Sequence, residues 1–515
     1  MSVPQKYRAI GDFHEYYSGK RTAPYLTLFV GGNHEASAHL HELYYGGWVA
    51  PRIYYLGAAN VIRFGDLRIA GLSGIWKGYN YQKPHFERVP YTADEVKSLY
   101  HVREIDVRKL LLLREQADVG ISHDWPRGIE WQGDYKTLFR KKDLFEADAK
   151  AGTLGSSAAK YVMHRLRPSY WFAAHLHCKY AAVVDYTKQL PDQAAISEQA
   201  LKNRDAQRGV QNEDEIDVDL NGDDPRGDKP ADQSGPVKNE DEIDLDVDED
   251  PADESATPAM TSPDKATTGN TAQNTSSISA DLRALLPASF TRPRSSPAPN
   301  HYHQAPALAP APPPPTITNK STSFLALDKC LPNRKFLQLI DITPLSPSST
   351  SSAPTLTYDP QWLSILRVFR DHDPHKPFPP NLGESAYLPL IASERSWVDD
   401  NIVAKGKLAV PENFSITAPV YDGMDIKSVG REQPKEYTNP QTQQFCELLE
   451  VKNWFHESEE VREERRARKE AIVQGERDSE GDGRGRGGGR GRGRGRGGRG
   501  HGGGRGGRGP GRGWR

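Results

Sequence analysis

The sequence is poor in cysteine and in long apolar runs. Its 515 residues include only three cysteines, Cys178, Cys330 and Cys446, and none belongs to a C-x-x-C pair. This scarcity argues against a disulfide framework or a thiolate metal cage, and it favours a reducing compartment. No apolar run is long enough to span a bilayer, and the start of the chain lacks the basic-then-apolar pattern of a signal peptide. We therefore expect a soluble, intracellular protein.

A uniform composition is also missing. Hydrophobic residues make up only 36% of the chain. Residues 212–254 carry 19 acidic and 3 basic side chains, whereas residues 484–515 carry 11 arginines and no acids. The acidic tract lies within residues 187–320, which are rich in Asp, Ser, Thr, Pro and Ala, and residues 476–515 are dominated by Arg and Gly. Both stretches have too little apolar surface to offset chain entropy, so we expect them to be disordered.

The remaining segments predict ordered structure. Residues 1–186 alternate short apolar or aromatic runs with Gly and Pro, which predicts an α/β unit with a helix over residues 93–115. Three further regions follow the insertion: returning strands of the same unit over 321–345, a smaller α+β region over 346–456, and a charged, solvent-exposed helix over 457–475.

Three of the predicted strands run directly into metal-ligand residue types. These are "TLFV" before Gly31-Gly32-Asn33-His34-Glu35, "VGIS" before His123-Asp124, and "YWFAA" before His175-Leu176-His177. Sites in open α/β sheets form outside the carboxyl ends of strands, so the three loops can converge on one crevice. An amide oxygen and neutral imidazoles suit Zn, Mn or Fe. A lone histidine at a strand end is more often structural, but three such ends in order favour a metal site.

The motif Gly11-Asp12-Phe13-His14 imitates a metal-ligand signature near the start of the chain. No apolar strand precedes it, which a metal-ligand loop would need. One helical face instead collects Tyr7, Ile10, His14 and Tyr17. Gly19 then suits the end of that helix. We therefore predict a helix here and leave Asp12 and His14 out of the site.

The order G-N-H-E, S-H-D-W-P and H-x-H resembles that of calcineurin-like metallophosphoesterases. Longer stretches, "LTLFVGGNHEAS", "SHDWPRGI", "YWFAAHLHCKYAA" and "FLALDKCLPNRKFLQ", are similar to the RNA lariat debranching enzymes. The resemblance covers residues 1–186 and about 323–456. It implies a metallophosphoesterase sandwich with a smaller C-terminal α+β region. It also implies a nuclear hydrolase, with shuttling to the cytoplasm left open, that cleaves the 2′-5′ phosphodiester bond at the branch of intron lariat RNA.

The resemblance also implies roles for the residues of these motifs. The family uses two divalent ions, for which Fe²⁺, Zn²⁺ and Mn²⁺ are the candidates. Asn33, His123 and His175 would bind one ion, and His177 would bind the other. His34 would be the general acid or a phosphate ligand. The carboxylates that would orient the imidazoles are Glu35 and Asp124.

A lariat-recognition segment of the family corresponds to residues 76–108 of this chain. Its aromatic and cationic side chains suit single-stranded RNA with splayed bases, because bases stack on aromatic rings beside positive charges. The candidate RNA-binding residues are Tyr81, His85, Tyr100, His101 and Arg103. The alternative interpretation is a surface helix with ordinary aromatic anchors.

The chain departs from the family pattern at its start. In the family, a strand ending in Asp- or Cys-x-His and another ending in Gly-Asp supply most ligands of the second ion, and both precede the segment that matches here. We therefore expect the sandwich to lack its first strands, either because the start is placed too late or because the product is truncated. Two functions stay open: a debranching phosphodiesterase, and a catalytically impaired protein that binds lariat RNA. The oligomeric state stays open as well.

The Arg-Gly tail generates a first prediction. Its guanidinium groups can pair with phosphates and stack on bases, which gives salt-sensitive, sequence-tolerant RNA binding. Deleting residues 484–515 should weaken RNA affinity and flatten the dependence of log Kd on log salt concentration. Titrations at several salt concentrations measure both effects. An unchanged slope would leave the tail as a solubilising linker.

Overall fold

The computed structural model describes residues 11–188, 312–347, 353–421 and 435–469. The predicted disorder of residues 189–311 and of the Arg-Gly tail lies outside these ranges, as do Tyr7 and Ile10. Among the described residues, no helix combines the length and apolar character needed to cross a membrane.

A small sheet carries the first of the predicted site loops. Its strands are β1 (Thr27–Phe29), β2 (Gly47–Ala50) and β3 (Ile53–Tyr55), in the order β1-β3-β2. β1 runs parallel to β3, and β2 runs antiparallel to it. Leu43, Val49 and Tyr55 form a buried apolar cluster beside this sheet.

The main sheet has seven strands in the order β10-β4-β5-β6-β7-β9-β8. They are β4 (Ala59–Phe64), β5 (Leu67–Leu72), β6 (Val119–Ser122), β7 (Tyr170–Ala173), β8 (Tyr180–Asp185), β9 (Ser321–Ala326) and β10 (Leu356–Tyr358). β5, β6, β7 and β9 are parallel, and antiparallel strands flank them. This mixed α/β arrangement confirms the predicted fold class, a metallophosphoesterase-like fold with a C-terminal region.

Helices connect the strands and cover the sheet. They are α1 (Phe13–Tyr17), α2 (Ser37–Glu42), α3 (Gly78–Tyr81), α4 (Ala93–Ser98), α5 (Glu104–Leu111), α6 (Tyr135–Lys141), α7 (Leu144–Ala151), α8 (Ser157–Leu166), α9 (Pro360–Val368), α10 (Glu384–Val398), α11 (Pro440–Leu449) and α12 (459–469). α5 packs against α8 and against the strands β4 and β5. The predicted helix near Asp12 is confirmed over the residues of α1.

Close packing at the centre of the sheet depends on one glycine. A Cβ atom on Gly120 of β6 would lie 2.2 Å from the Trp171 ring on the neighbouring β7. Trp171 is 1% exposed, and its indole N–H donates to the Ser122 hydroxyl at 2.9 Å. Burial of this ring therefore requires a residue without a side chain at position 120.

A buried ion pair fixes the C-terminal region to the sheet. Asp359 precedes α9 and caps it by accepting the Trp362 N–H at 3.0 Å. The same carboxylate accepts hydrogen bonds from Arg68 of β5 at 2.8 and 2.9 Å and from Arg63 of β4 at 2.8 Å. Asp359 is fully buried, and loss of one partner from such a pair typically costs about 3–5 kcal/mol.

The helix predicted over residues 93–115 is two helices, α4 and α5. The break between them contains an extended bridge in which the Ile75 N–H donates to Tyr100 O at 2.9 Å and the Val102 N–H donates to Ile75 O at 3.0 Å. These bonds to a distant segment outweigh the helical periodicity of the sequence.

One of two predictions around β9 is wrong. One or two strands were expected over 321–345, and the described residues form one, β9, while residues 336–342 pair with no described strand. Residues 312–320 were expected to be disordered, but Ile317 is 4% exposed and the Asn319 amide donates to Arg167 O at 2.9 Å. Two buried residues, Pro314 and Ile317, and a few hydrogen bonds order this segment against the composition of its surroundings.

The charged helix predicted over 457–475 is confirmed where it is described, as α12. Most of its residues are exposed, as predicted, but one face forms ion pairs with the folded body. Arg465 lies 2.6 Å from Glu436, and Lys469 lies 2.7 Å from Glu95. The partners of these cations are distant in sequence, so the charge pattern of the helix alone does not reveal them.

Glu42 generates a prediction on stability. Burial raises the pKa of this carboxyl to about 7. Its Oε2 atom accepts from Thr417 at 2.7 Å and from Asn439 at 3.3 Å. Because the folded-state pKa is raised, the stabilising effect of the protonated carboxyl is complete below pH 4.5 and is lost as the pH rises through about 7. Glu42→Gln mimics the protonated form and should avoid this loss.

The free energy of unfolding of Glu42→Gln, minus that of the unmodified protein, should therefore rise between pH 5 and pH 8 by up to about 3 kcal/mol. Denaturant titrations across this range measure the difference. The exposed Glu412→Gln variant is the control and should give a flat difference. A flat profile for Glu42→Gln as well would contradict a raised pKa at position 42.

Candidate metal centre at the sheet edge

Four loops meet at the carboxyl edge of the parallel strands. The loops after β6, β7 and β9 lie side by side because Ile121 pairs with Phe172 and Ala173 pairs with Ala326. The loop after β1 reaches the same edge, since the Gly74 N–H in the loop after β5 donates to Gly31 O at 2.8 Å and Asn33 meets His123 in the loop after β6. The structure therefore brings together the segments that hold the predicted metal ligands.

Asn33 and His123 face each other at the centre of this edge. The Asn33 Oδ1 and His123 Nε2 atoms are 3.1 Å apart. A Cβ atom on Gly32 would lie 2.3 Å from the His123 ring, closer than any real contact. The absence of a side chain at Gly32 is therefore what admits the imidazole beside Asn33.

His175 and His177 stand on a turn rather than on a strand. β7 ends at Ala173, and both histidines adopt left-handed backbone conformations, with φ angles of 59° and 51°. Such conformations are unfavourable for residues other than glycine and are often found at functional sites. The turn places the His175 ring with its centroid 5.0 Å from that of His123.

Three imidazoles at this edge, those of His34, His123 and His177, are neutral at neutral pH. Burial, together with the charges of neighbouring histidines, lowers the pKa of His123 to about 3. Burial and the positive charge of Lys329 lower the pKa of His177 to about 4. Burial also lowers the pKa of His34, to which His175 and Lys329 contribute. Neutral imidazole is the form that binds metal ions.

His34 has buried ring nitrogens without a partner. Neither Nδ1 nor Nε2 has a hydrogen-bond partner among the described residues. A buried polar group without a partner is costly, and such groups in native proteins commonly await a ligand, ion or water. His34 therefore has the free donor and acceptor atoms that its predicted role requires.

The two carboxylates next to the site bind backbone groups. Glu35 accepts the backbone N–H of His34 at 3.1 Å, and Asp124 accepts that of Trp76 at 3.2 Å. Burial raises the pKa of both carboxyls. Neither hydrogen-bonds to an imidazole within the described part of the chain, so their role in orienting the rings stays a prediction. The Asp124 Oδ1 atom is buried without a partner there.

The chemical types of the donor atoms suit a divalent transition-metal ion. Within the described ranges, no three His, Cys, Asp or Glu side chains form a group that could hold a metal ion. The donors that do meet are the Asn33 amide oxygen and the His123 nitrogen, with the unpartnered His34 close by. Neutral imidazoles and an amide oxygen are ligands that Zn, Mn and Fe accept.

Three of the predicted RNA-binding residues are buried. Tyr100, His101 and Arg103 are 7%, 4% and 0% exposed. Arg103 pairs with Glu87 and donates to Asn80 O at 2.8 Å, and the Asn80 amide donates to His101 Nδ1 at 2.8 Å. These contacts lie within segment 76–108 and stabilise its own fold, whereas Tyr100 joins the segment to α2 by accepting a hydrogen bond from the Ser37 hydroxyl at 2.7 Å. Direct RNA contact by the three residues stays a prediction.

The other two predicted RNA-binding residues are half-buried. Tyr81 packs against Trp76 with ring centroids 4.8 Å apart, and the His85 Nε2 atom lies 2.7 Å from Asp106. The most exposed ring of this segment is Tyr79, with 55% of its surface accessible, against 38% for Phe86, and Lys83 Nζ lies 5.8 Å from the Tyr79 centroid. Sequence reasoning did not single out Tyr79, because only the short helix α3 determines which ring of the segment faces outwards.

The chain matches known proteins over most of its length. The family model for the C-terminal domain of the lariat debranching enzyme matches residues 319–454. The lariat debranching enzyme of Schizosaccharomyces pombe is 37% identical over 456 residues, which cover 88% of this chain and 86% of that protein. Those of Danio rerio and Homo sapiens are 33% identical over 88% of this chain, which spans 57% and 60% of their lengths. The chain therefore belongs to the lariat debranching enzyme family.

Proposed function

We propose that the protein hydrolyses the 2′-5′ phosphodiester bond at the branch point of excised intron lariat RNA. The observation that carries the proposal is the meeting of Asn33 with His123, beside the unpartnered His34, in a chain of this family. The reaction takes place in the nucleus and uses Fe²⁺, Zn²⁺ or Mn²⁺.

The metal ligands are those that the motifs indicate. Asn33, His123 and His175 would hold one ion, and His177 would hold the other. Bound divalent ions supply an activated water molecule and stabilise negative charge on the phosphate. The chain orients its donors in advance through the left-handed turn at His175 and His177 and through the space that Gly32 leaves. Such preorganisation is what a rigid site contributes to catalysis.

His34 acts on the substrate. As a neutral imidazole it can donate an N–H to a phosphate oxygen or to the leaving 2′-oxygen. A phosphate anion beside the ring favours its protonated form, which makes His34 a proton donor only when substrate is bound. The partial burial of the ring strengthens any hydrogen bond that it makes.

The RNA around the branch binds to segment 76–108. Tyr81 and His85 are the half-buried candidates for contact, and Tyr100, His101 and Arg103 hold the segment in place. The Arg-Gly tail adds sequence-tolerant contacts with other RNA, since its cations can neutralise phosphates along a strand.

A cleavage assay tests the proposal. With Mn²⁺, Fe²⁺ or Zn²⁺, the protein should cleave a synthetic branched RNA at its 2′-5′ linkage. It should not cleave a linear control RNA that contains only 3′-5′ linkages. Chelation of the metal should abolish the reaction. His34→Asn should slow it by roughly 10²–10⁴-fold, the range typical of a lost general acid or base. Asp12→Asn, on the exposed start of α1, is the control and should leave the rate unchanged.

The outcomes separate the two candidate functions. Cleavage that depends on metal and on His34 supports the hydrolase. Binding of branched RNA without turnover under any of the three metals contradicts it, and leaves an RNA-binding protein without catalytic activity.

Gly32→Ala tests whether the close approach at the sheet edge matters. The added methyl group must displace the His123 ring, and such overpacking typically costs about 1–3 kcal/mol of stability. Debranching should fall by roughly 100-fold, as expected for a misplaced ligand. Thermal unfolding and turnover are measured for Gly32→Ala, for His123→Ala and for the double variant.

The double variant isolates the cause. If Gly32→Ala acts through the imidazole, it should cost neither stability nor rate in the His123→Ala background. An equal cost in both backgrounds would mean that the methyl group disturbs the loop in some other way.

A further inference from the structure

Lys329 lies at the same sheet edge as the candidate site. β9 runs parallel to β7, and the last pair in their register is Ala173 with Ala326. Beyond this pair, His175 and His177 follow two and four residues along one chain segment, and Lys329 follows three residues along the other. Lys329 is therefore placed beside the two histidines by the sheet itself.

A turn over residues 328–335 holds the Lys329 backbone. The Lys329 N–H donates to Asp328 Oδ1 at 2.8 Å, and its carbonyl accepts the Leu331 N–H at 2.8 Å. The turn closes where the Asp328 N–H donates to Lys335 O at 3.2 Å. This network sets the direction in which the side chain leaves the sheet edge.

The ammonium group of Lys329 has no anionic partner. Its side chain is half-buried, and within the described ranges it forms no ion pair or hydrogen bond. The adjacent carboxylate, Asp328, binds the backbone N–H of Lys329 and lies 3.6 Å from Arg334. By contrast Lys179, at the same edge, donates to Gln338 at 2.7 Å. Nearby histidines cannot neutralise Lys329, because they are neutral or positively charged.

We propose that Lys329 is a phosphate-binding residue that clamps the branch phosphate of the RNA beside His34 and His177. A lysine is a flexible point charge that commonly binds phosphate. A half-buried cation without a partner gains most from an anion, because it has already lost part of its hydration. The inference rests on the proposed function, since it takes the branched RNA as the substrate of this edge.

The test compares charged and uncharged branch linkages. Two branched RNAs are used, one with the natural 2′-5′ phosphodiester and one with a methylphosphonate, which has no negative charge at that position. All proteins carry His34→Asn, and binding is measured in the presence of a chelator, so that the RNA is not cut. Lys329→Gln, Lys329→Arg and Lys335→Gln are compared in this background by equilibrium binding, and Lys335 is the matched control because it is an exposed lysine of the same turn.

Lys329→Gln should weaken binding of the phosphodiester RNA by roughly 10–100-fold, the range of a lost hydrogen bond to a charged group. It should change binding of the methylphosphonate RNA by less than about two-fold. Lys329→Arg should retain most of the affinity, and Lys335→Gln should treat both RNAs as the parent does. Thermal unfolding should be unchanged in Lys329→Gln, because the side chain has no partner to lose.

An equal loss on both RNAs, or no loss beyond that of Lys335→Gln, would overturn the inference. Its failure is distinct from failure of the proposed function. Absence of turnover in the protein with an intact His34 contradicts the hydrolase, whereas the binding comparison needs no turnover and still decides the role of Lys329.

Discussion

The parallel pairing of β5, β6, β7 and β9 is the constraint on which the site depends. Parallel strands point their carboxyl ends to one edge, and each needs a long crossover before the next strand can begin. Residues that are more than a hundred positions apart in the chain thereby become neighbours. His175 and Lys329 are the extreme case, since the whole acidic insertion separates β8 from β9 in sequence. The length of the segment that connects two strands does not change which residues meet at this edge, because the register of the strands determines their positions.

Several ionisable side chains at this edge are desolvated by burial. Burial keeps the imidazoles of His123 and His177 neutral, which leaves their nitrogen lone pairs free for a metal ion. The same burial raises the pKa of Asp124 and Glu35, so the region disfavours charge of either sign until a ligand supplies the opposite one. Such an environment suits the metal ions and phosphate of the proposed function. The two ring nitrogens of His34, which have no hydrogen-bond partner among the described residues, agree with this.

Sequence reasoning succeeded where the signal is local. An apolar run followed by Gly-Gly-Asn-His-Glu indicates a strand and its loop without reference to the rest of the chain, and the helix near Asp12 follows from its spacing. It failed where contacts with segments distant in sequence determine the local structure. The extended bridge of Ile75 with His101 divides a periodic helix, and burial of Ile317 orders a Pro-rich stretch. The cationic face of α12 looked solvated because its carboxylate partners lie elsewhere in the chain.

The candidate site shows the same division between local and distant information. The candidate ligands and their order were visible in the sequence, because each stands shortly after a strand. The depth of Arg103 was not, since an arginine beside aromatic residues is typical both of an RNA contact and of a buried ion pair. Only the structure shows that Arg103 is buried and pairs with Glu87. Lys329 was not predicted for a related reason. The proposal for it depends on an ammonium group without an ionic partner among the described residues, and a sequence does not show which charged groups lack a partner.

Ion pairs attach the C-terminal region to segment 76–108. Arg88 lies 2.9 Å from Glu436, and α12 adds the pair of Lys469 with Glu95. Salt weakens exposed ion pairs and the neutralisation of RNA phosphates, but it screens buried pairs much less. Arg88 and Glu436 are both less than a tenth exposed, so salt should weaken this ion pair much less than an exposed one. A salt dependence of the proposed RNA binding would therefore report on contacts with RNA, and not on loosening of segment 76–108.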